Sequence, residues 1–157
     1  MGVSGSGKTT VGRALADGLG WTFLDADDFH PRANVAKMAA GVALTDEDRW
    51  PWLDRLAGEL RALEERGRHV VLACSALKQA YRDRLKRAGD LRWVYLKGDA
   101  PTIEPRLAAR TGHYMPASLL ESQFAALEEP GEAMVVDIRE SIDAQVARIA
   151  ASLRSTV

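Results

Sequence analysis

The chain has 157 residues, the size of one domain by the usual range of roughly 100–200 residues each. Hydrophobic residues make up 46% and charged residues 27%; this excludes a disordered chain, and no apolar run approaches the ~18 residues that span a bilayer. Lys and Arg number 21 against 22 Asp and Glu, a net charge of −1 that gives no global reason to expect nucleic acid. One cysteine, Cys74, and no apolar h-region after Met1 lead us to expect a cytoplasmic protein without a secretory leader.

Val11, Leu15 and Leu19 fall at i, i+4 and i+8, predicting a helix over 9–19 that stops at Gly20. Residues 21–24 are a short β-prone run ending in the acidic cluster Asp25, Asp27 and Asp28. Pro31 opens a short helix that ends near Gly41. A longer helix follows Thr45 and Asp46, with Trp50, Leu53, Leu56, Leu60 and Leu63 on one face and Gly67 as its stop. A buried-type strand is predicted over 69–73, a basic helix over 76–88, a strand over 92–96 and a helix from Pro101 to about Arg110. A loop over 111–116, a capping box at Ser118 and Glu121, a strand over 133–136 and a helix over 141–153 complete the chain. Strands alternating with helices imply right-handed crossovers and a parallel sheet flanked by helices, one α/β domain over 1–157. Residues 78–110 carry nine Lys and Arg against four Asp and Glu. Such a segment suits a small anionic ligand, or else two well-solvated helix faces.

Gly2, Val3, Ser4, Gly5, Ser6, Gly7, Lys8 and Thr9 fit G-x-x-x-x-G-K-[ST] at every fixed position. Glycines let successive backbone N–H groups curl inward onto phosphate oxygens, and the following helix adds its positive end. Lys8 supplies a cation for the β- and γ-phosphates of ATP, and the Thr9 hydroxyl is a Mg²⁺ ligand. Only Met1 precedes Gly2, so the central first strand that such a loop normally follows is expected to be missing from this chain. We read this as a start placed downstream of the true one, with in-frame residues rich in Val, Ile and Leu ahead of it; the alternative is a truncated, impaired copy.

Asp25 and Asp27 are spaced i, i+2 after a strand, so both can point out of its carboxyl end, where ligands sit in open α/β sheets. One can orient Mg²⁺ and the other can accept a proton from a substrate hydroxyl; the alternative is a helix cap plus solvated acids. His30, His69 and His113 lack metal-ligand spacing. Arg49 is a guanidinium suited to a carboxylate. Cys74 reads as a small buried hydrophobe. Arg106 and Arg110 stand four apart before a glycine-containing loop, the placement of a lid over 106–117 or of a solvated face.

The segments GVSGSGKTT (2–10), DADDFHPRANVAKMAAGVALTDEDRWPWL (25–53), CSALKQAYRDRL (74–85), YLKGD (95–99), RLAARTGHY (106–114), LLESQFAALEEP (119–130) and VVDI (135–138) together resemble the thermoresistant-type gluconokinase family, related to shikimate kinase. The loop motif is common to many nucleotide-binding proteins. His30, Pro31, Asn34, Lys37 and Met38, with the CSALK segment, are more specific. The resemblance implies a three-layer P-loop kinase fold and MgATP-dependent phosphorylation of D-gluconate at its 6-hydroxyl, giving 6-phosphogluconate. It implies that Gly5, Gly7, Lys8, Thr9 and Thr10 hold the nucleotide phosphates, that Asp25 assists Mg²⁺ and that Asp27 contacts the accepting hydroxyl as base. It further implies that His30 and Arg49 bind the sugar acid with help from Lys78 and Arg82, that Arg110 closes from the lid, and that the enzyme is a homodimer. Ala26 stands where the family usually has glycine. Other readings are a kinase of another small sugar acid or polyol, and a nucleotide-binding regulator or inactive paralogue.

Overall fold

Helix α1 (Lys8–Leu19) starts where Gly7 turns the chain at φ 92° and ends where the N–H of Gly20 returns to the carbonyls of Ala16 and Asp17. The structure is a computed structural model that describes residues 1–110 and 119–154. Strand β1 (Thr22–Asp25), a 3-10 turn over Ala26–Phe29, helix α2 (Arg32–Ala39) and helix α3 (Asp46–Glu65) follow. Thr45 and Asp48 form a reciprocal capping box that fixes where α3 begins. Next come β2 (Val70–Ala73), α4 (Gln79–Leu85), β3 (Val94–Lys97), α5 (Ala100–Ala108), α6 (Leu120–Ala126), β4 (Met134–Asp137) and α7 (Ile142–Arg154). The alternation is the one the sequence predicts. The basic helix is shorter than expected and begins only at Gln79, because Ala76 adopts φ 45° and residues 74–78 are not helical. The loop over 111–116 and the cap at Ser118 lie outside the described residues.

The strands form two parallel pairs. Thr22 to Asp25 run beside Val70 to Ala73, and Val94 to Lys97 beside Met134 to Asp137. Between β2 and β3 lies the backbone of Met1. Its amino group donates to Val94 O at 2.6 Å, and Leu96 N–H donates to Met1 O at 2.9 Å. Those two bonds are one rung of a parallel ladder, opposite Tyr95. On the other side Gly2 N–H donates to Ser75 O at 3.3 Å. Below this rung a cleft of about 690 Å³ separates the facing edges, lined by Val70, Val71 and Leu72 of β2, Leu96 of β3, Leu15 of α1 and Ile149 of α7. Val70, Val71 and Leu72 are therefore only half-buried, although parallel strands ordinarily bury both faces. Among the described residues no strand runs through this cleft.

Helices cover both faces of the sheet pairs. On one side Val11 and Leu15 of α1, Ile103 and Leu107 of α5, and Ile149 of α7 pack with Leu96 and Val136. On the other, Trp52, Leu53 and Leu56 of α3 and Tyr81 and Leu85 of α4 pack with Tyr95 and Met1. Leu96 and Tyr95 are neighbours on β3 and point to opposite clusters, which sets a sheet layer between two helical layers. The carboxyl ends of β1 and β2 meet the loop and the start of α1, where Asp25 contacts Thr9 and Ser75 O accepts from Gly2 N–H.

Candidate active site

The loop over 2–7 is built to bring backbone close to a ligand. Gly5 and Gly7 have φ of 80° and 92°, values that favour glycine. A Cβ on Gly5 would lie 2.9 Å from Ile103 Cγ2, so the loop is seated directly on α5. Ser6 Oγ is buried and without a hydrogen-bond partner among the described residues, a polar group left for a ligand oxygen. Lys8 Nζ donates to Val3 O at 2.9 Å and so spans the loop. Burial holds its pKa below the ordinary lysine value, opposed by the carboxylates of Asp27 and Asp25, with the exposed Arg110 adding to the lowering. Arg110 is thus within electrostatic reach of Lys8. The rest of the expected lid, 111–117, lies outside the described residues, while Arg106 is tied down by donating to Ile138 O at 2.9 Å.

Across the loop mouth, Thr9 Oγ1 donates to Asp25 Oδ2 at 2.8 Å. A hydroxyl and a carboxylate from the start of α1 and the end of β1 are the hard oxygen donors that Mg²⁺ takes, and they fit that ion. Asp25 Oδ1 accepts from Asp27 N–H at 3.0 Å, which turns the chain into the 3-10 segment and carries Asp27 beside Asp25. His30 Nε2 lies 3.8 Å from Asp27 Oδ1.

His30 does not face the open pocket. Its side chain is 4% exposed and stacks on Trp52 with ring centroids 4.1 Å apart. Trp52 is itself pinned by donating from Nε1 to Ala26 O at 2.8 Å. Burial, then the charge of Arg49, lowers the His30 pKa to about 4, so the imidazole is neutral at pH 7. Asn34 Nδ2 contacts Nδ1 at 3.4 Å while donating to Asp48 O at 2.9 Å. With Nδ1 as the acceptor, the Nε2–H is directed at Asp27. The ring expected to bind the acid is placed behind Asp27 and against Trp52.

A second chamber of about 340 Å³ is lined by Asp46 and Arg49 of α3, Lys78 and Tyr81, and Gln123 of α6. Lys78 Nζ donates to Asp46 Oδ1 at 3.0 Å and Oδ2 at 3.3 Å, and Tyr81 OH donates to Asp46 Oδ1. The Arg49 guanidinium stands 5.3 Å from the Tyr81 ring centroid and donates to the carbonyls of Leu44 and Thr45. Gln123 joins this chamber to the loop over 2–7, since its Oε1 accepts from Ser4 N–H at 2.6 Å. Arg49 and Lys78, both expected to bind the acid, line this same chamber. Asp46, Tyr81 and Gln123 were not among its candidates. Only the i, i+3 spacing of Lys78 and Tyr81 on a helix start hinted at any of them.

Arg82 is corrected. It is 2% exposed, and its guanidinium donates to Ala76 O, Leu77 O and Glu128 O and to Gln79 Oε1. It fastens the strained Ala76 turn that presents Lys78, and all of these contacts lie within the chain. Cys74 is buried, with its thiol pushed up to about 12 by burial, and is no nucleophile.

A family model described as an AAA domain matches residues 1–130. The thermoresistant gluconokinase of Escherichia coli (strain K12) is 45% identical over 152 residues, covering 94% of this chain and 87% of that protein. The chain belongs to the gluconokinase family. In three dimensions, a gluconokinase from Sinorhizobium meliloti 1021 matches it with TM-score 0.83 at 40% identity, covering 99% of this chain and 94% of the other. An unliganded sugar kinase from Janibacter sp. HTCC2649 matches with TM-score 0.92 at 46% identity, covering 98% of this chain and 91% of the other. The gluconokinase-family fold is thus the P-loop kinase fold expected from the sequence. No helix among the described residues is long and apolar enough to cross a membrane.

Proposed function

We propose that the chain transfers the γ-phosphoryl group of ATP to the 6-hydroxyl of D-gluconate, giving 6-phosphogluconate. The observation that carries this reading is the Ser4–Gln123 bond, which sets a chamber bearing Arg49 and Lys78 directly beside the phosphate loop. Cations in that chamber suit a carboxylate, and the loop suits a nucleotide triphosphate. The loop N–H groups and Lys8 hold the phosphates, and Lys8 neutralises charge that builds on the transferring group. Thr9 and Asp25 would hold Mg²⁺, which supplies further charge neutralisation on phosphate oxygens when bound. Asp27, oriented by its own N–H on Asp25 and backed by His30, accepts the proton of the attacking hydroxyl. Arg49 and Lys78 orient the acid end, so that the hydroxyl chain extends toward Lys8. Arg110 closes over the phosphates as part of a lid over 106–117 within one domain. The reading carries with it a cytoplasmic homodimer acting on a small molecule, with no nucleic acid partner.

The test is ATP-dependent phosphorylation across a panel of sugar acids and polyols, with Lys8→Ala as the control. D-gluconate is expected to give the highest kcat/KM, and Lys8→Ala to lose about 100-fold or more of kcat, on the scale of one lost transition-state contact. Equal turnover of an uncharged polyol would refute the acid reading. Turnover within a few-fold of wild type in Lys8→Ala would refute the role of the loop.

A further inference from the structure

We propose that Asp46 is a specificity-determining residue of the second chamber: its carboxylate takes a hydroxyl of the acceptor's carbon chain while it holds Lys78 for the acceptor's own carboxylate. The proposal rests on the sugar-acid reading of that chamber and deepens it.

A carboxylate beside an anion-binding site is unfavourable unless its charge is matched. Here it is. Lys78 and Tyr81 both donate to Asp46 Oδ1, and Lys78 reaches Oδ2 at 3.3 Å. These two donors, Tyr81 first, hold the Asp46 carboxyl below its usual range, so it stays ionised. An ionised carboxylate only accepts, with room for about four donors. Three contacts reach it from Lys78 and Tyr81, yet its side chain remains 38% exposed and lines the chamber. The group that completes it is an O–H or N–H on the ligand.

The cations are placed by the same cluster. Tyr81 has Arg49 at 5.3 Å and Lys78 at 5.7 Å from its ring centroid, and its hydroxyl is spent on Asp46. Trp50 meets the Tyr81 ring edge-on at 5.7 Å and limits its movement. The chamber therefore offers positive charge for one carboxylate and a fixed acceptor for a hydroxyl nearby. A hydroxyl-bearing acid satisfies both. An acid with a bare carbon chain leaves Asp46 facing apolar atoms, and a site that hydrogen-bonds a hydroxyl discriminates strongly against an analogue lacking it.

The test compares D-gluconate with its monodeoxy analogues, each lacking one hydroxyl, on wild type, Asp46→Ala, Asp46→Asn and Tyr81→Phe. Wild type is expected to lose about tenfold or more in kcat/KM with at least one analogue. In Asp46→Ala that one penalty should shrink to about twofold, with the penalties at other positions and the KM for ATP unchanged. Asp46→Asn keeps the shape, reports the same selective shrinkage in smaller measure, and carries the comparison if Asp46→Ala loses its fold. Tyr81→Phe should raise the gluconate KM more than it lowers kcat, since it loosens Lys78 without touching the reacting atoms. A deoxy pattern identical in wild type and both Asp46 variants overturns the assignment and leaves Asp46 a structural residue. Failure of wild type to phosphorylate gluconate at all overturns the reading of the chamber itself, and the assignment with it.

Discussion

Adding four apolar residues such as Val-Ile-Val-Leu ahead of Met1 should stabilise the protein, by an amount that depends on pH in a defined way. The Met1 amine is buried beside β3, and its pKa falls from 8.0 to about 5, mainly through desolvation and then through the charge of Lys8. A base whose pKa is lower in the folded state must release its proton on folding. The unfolded chain therefore binds more protons between pH 5 and pH 8, and stability rises with pH across that window. Below pH 5 the cost is the full shift, about 4 kcal/mol; by pH 7 it has fallen to about 1 kcal/mol, and above pH 8 it vanishes. Extension converts the amine into an amide that still donates to Val94 O and removes this cost. The added side chains enter the cleft beside the four residues of β2, for ~1.5–3 kcal/mol each, against ~1–2 kcal/mol per residue of backbone ordering. That second contribution does not vary with pH. His30, lowered from 6.5 to about 4, favours higher pH in the same direction, but it is present in both proteins and cancels in their difference. Urea unfolding of the two proteins at pH 5, 7 and 9 measures that difference. It should be positive throughout and largest at pH 5. A difference that is the same at pH 5 and pH 9, or an extension that lowers stability, would refute the placement of Met1 as a rung beside β3.

Three further outcomes follow from the site and its supports. Arg49→Lys keeps the charge but loses the planar fork, so the KM for gluconate should rise by about tenfold with a smaller fall in kcat. Steady-state kinetics decides this, and an unchanged KM would move the carboxylate contact to Lys78. Arg82→Ala leaves the carbonyls of Ala76, Leu77 and Glu128 without their donor; it should cost about 2–4 kcal/mol in denaturant unfolding. Gly98→Ala would set a Cβ 2.1 Å from Ile138 Cδ1, and a melting curve should show about 1–3 kcal/mol of overpacking strain.

What could be read from the sequence was what is local in the chain. The glycine spacing over 2–7, the helix stripe of Val11, Leu15 and Leu19, and the acidic turn after β1 are each set by neighbours a few residues away. The side chains that escaped detection meet only in the fold. Tyr81 reaches Asp46 across 35 residues and Gln123 reaches Ser4 across 119, and no periodicity marks either pairing. Arg82 entered with Lys78 only through the family resemblance, and nothing local in the chain shows that its guanidinium turns inward. The Ala76 turn, which sequence alone does not announce, folds its carbonyls back over the guanidinium and takes it out of solvent. The burial of the His30 ring was equally out of sight, since Trp52 comes from α3 to cover it.

The amide of Gln123 touches the backbone of the loop over 2–7 while forming a wall of the chamber beside it. Any ligand that shifts Ser4 by a fraction of an ångström must reshape that wall, and any ligand leaning on the wall must tug on the loop. Linkage then requires the two ligands to alter one another's affinity by the same factor, whichever arrives first. With nucleotide on the loop and acceptor in the chamber, as proposed, a side-chain amide 119 positions from its partner would give this one bond the character of a meter that reads both sites at once.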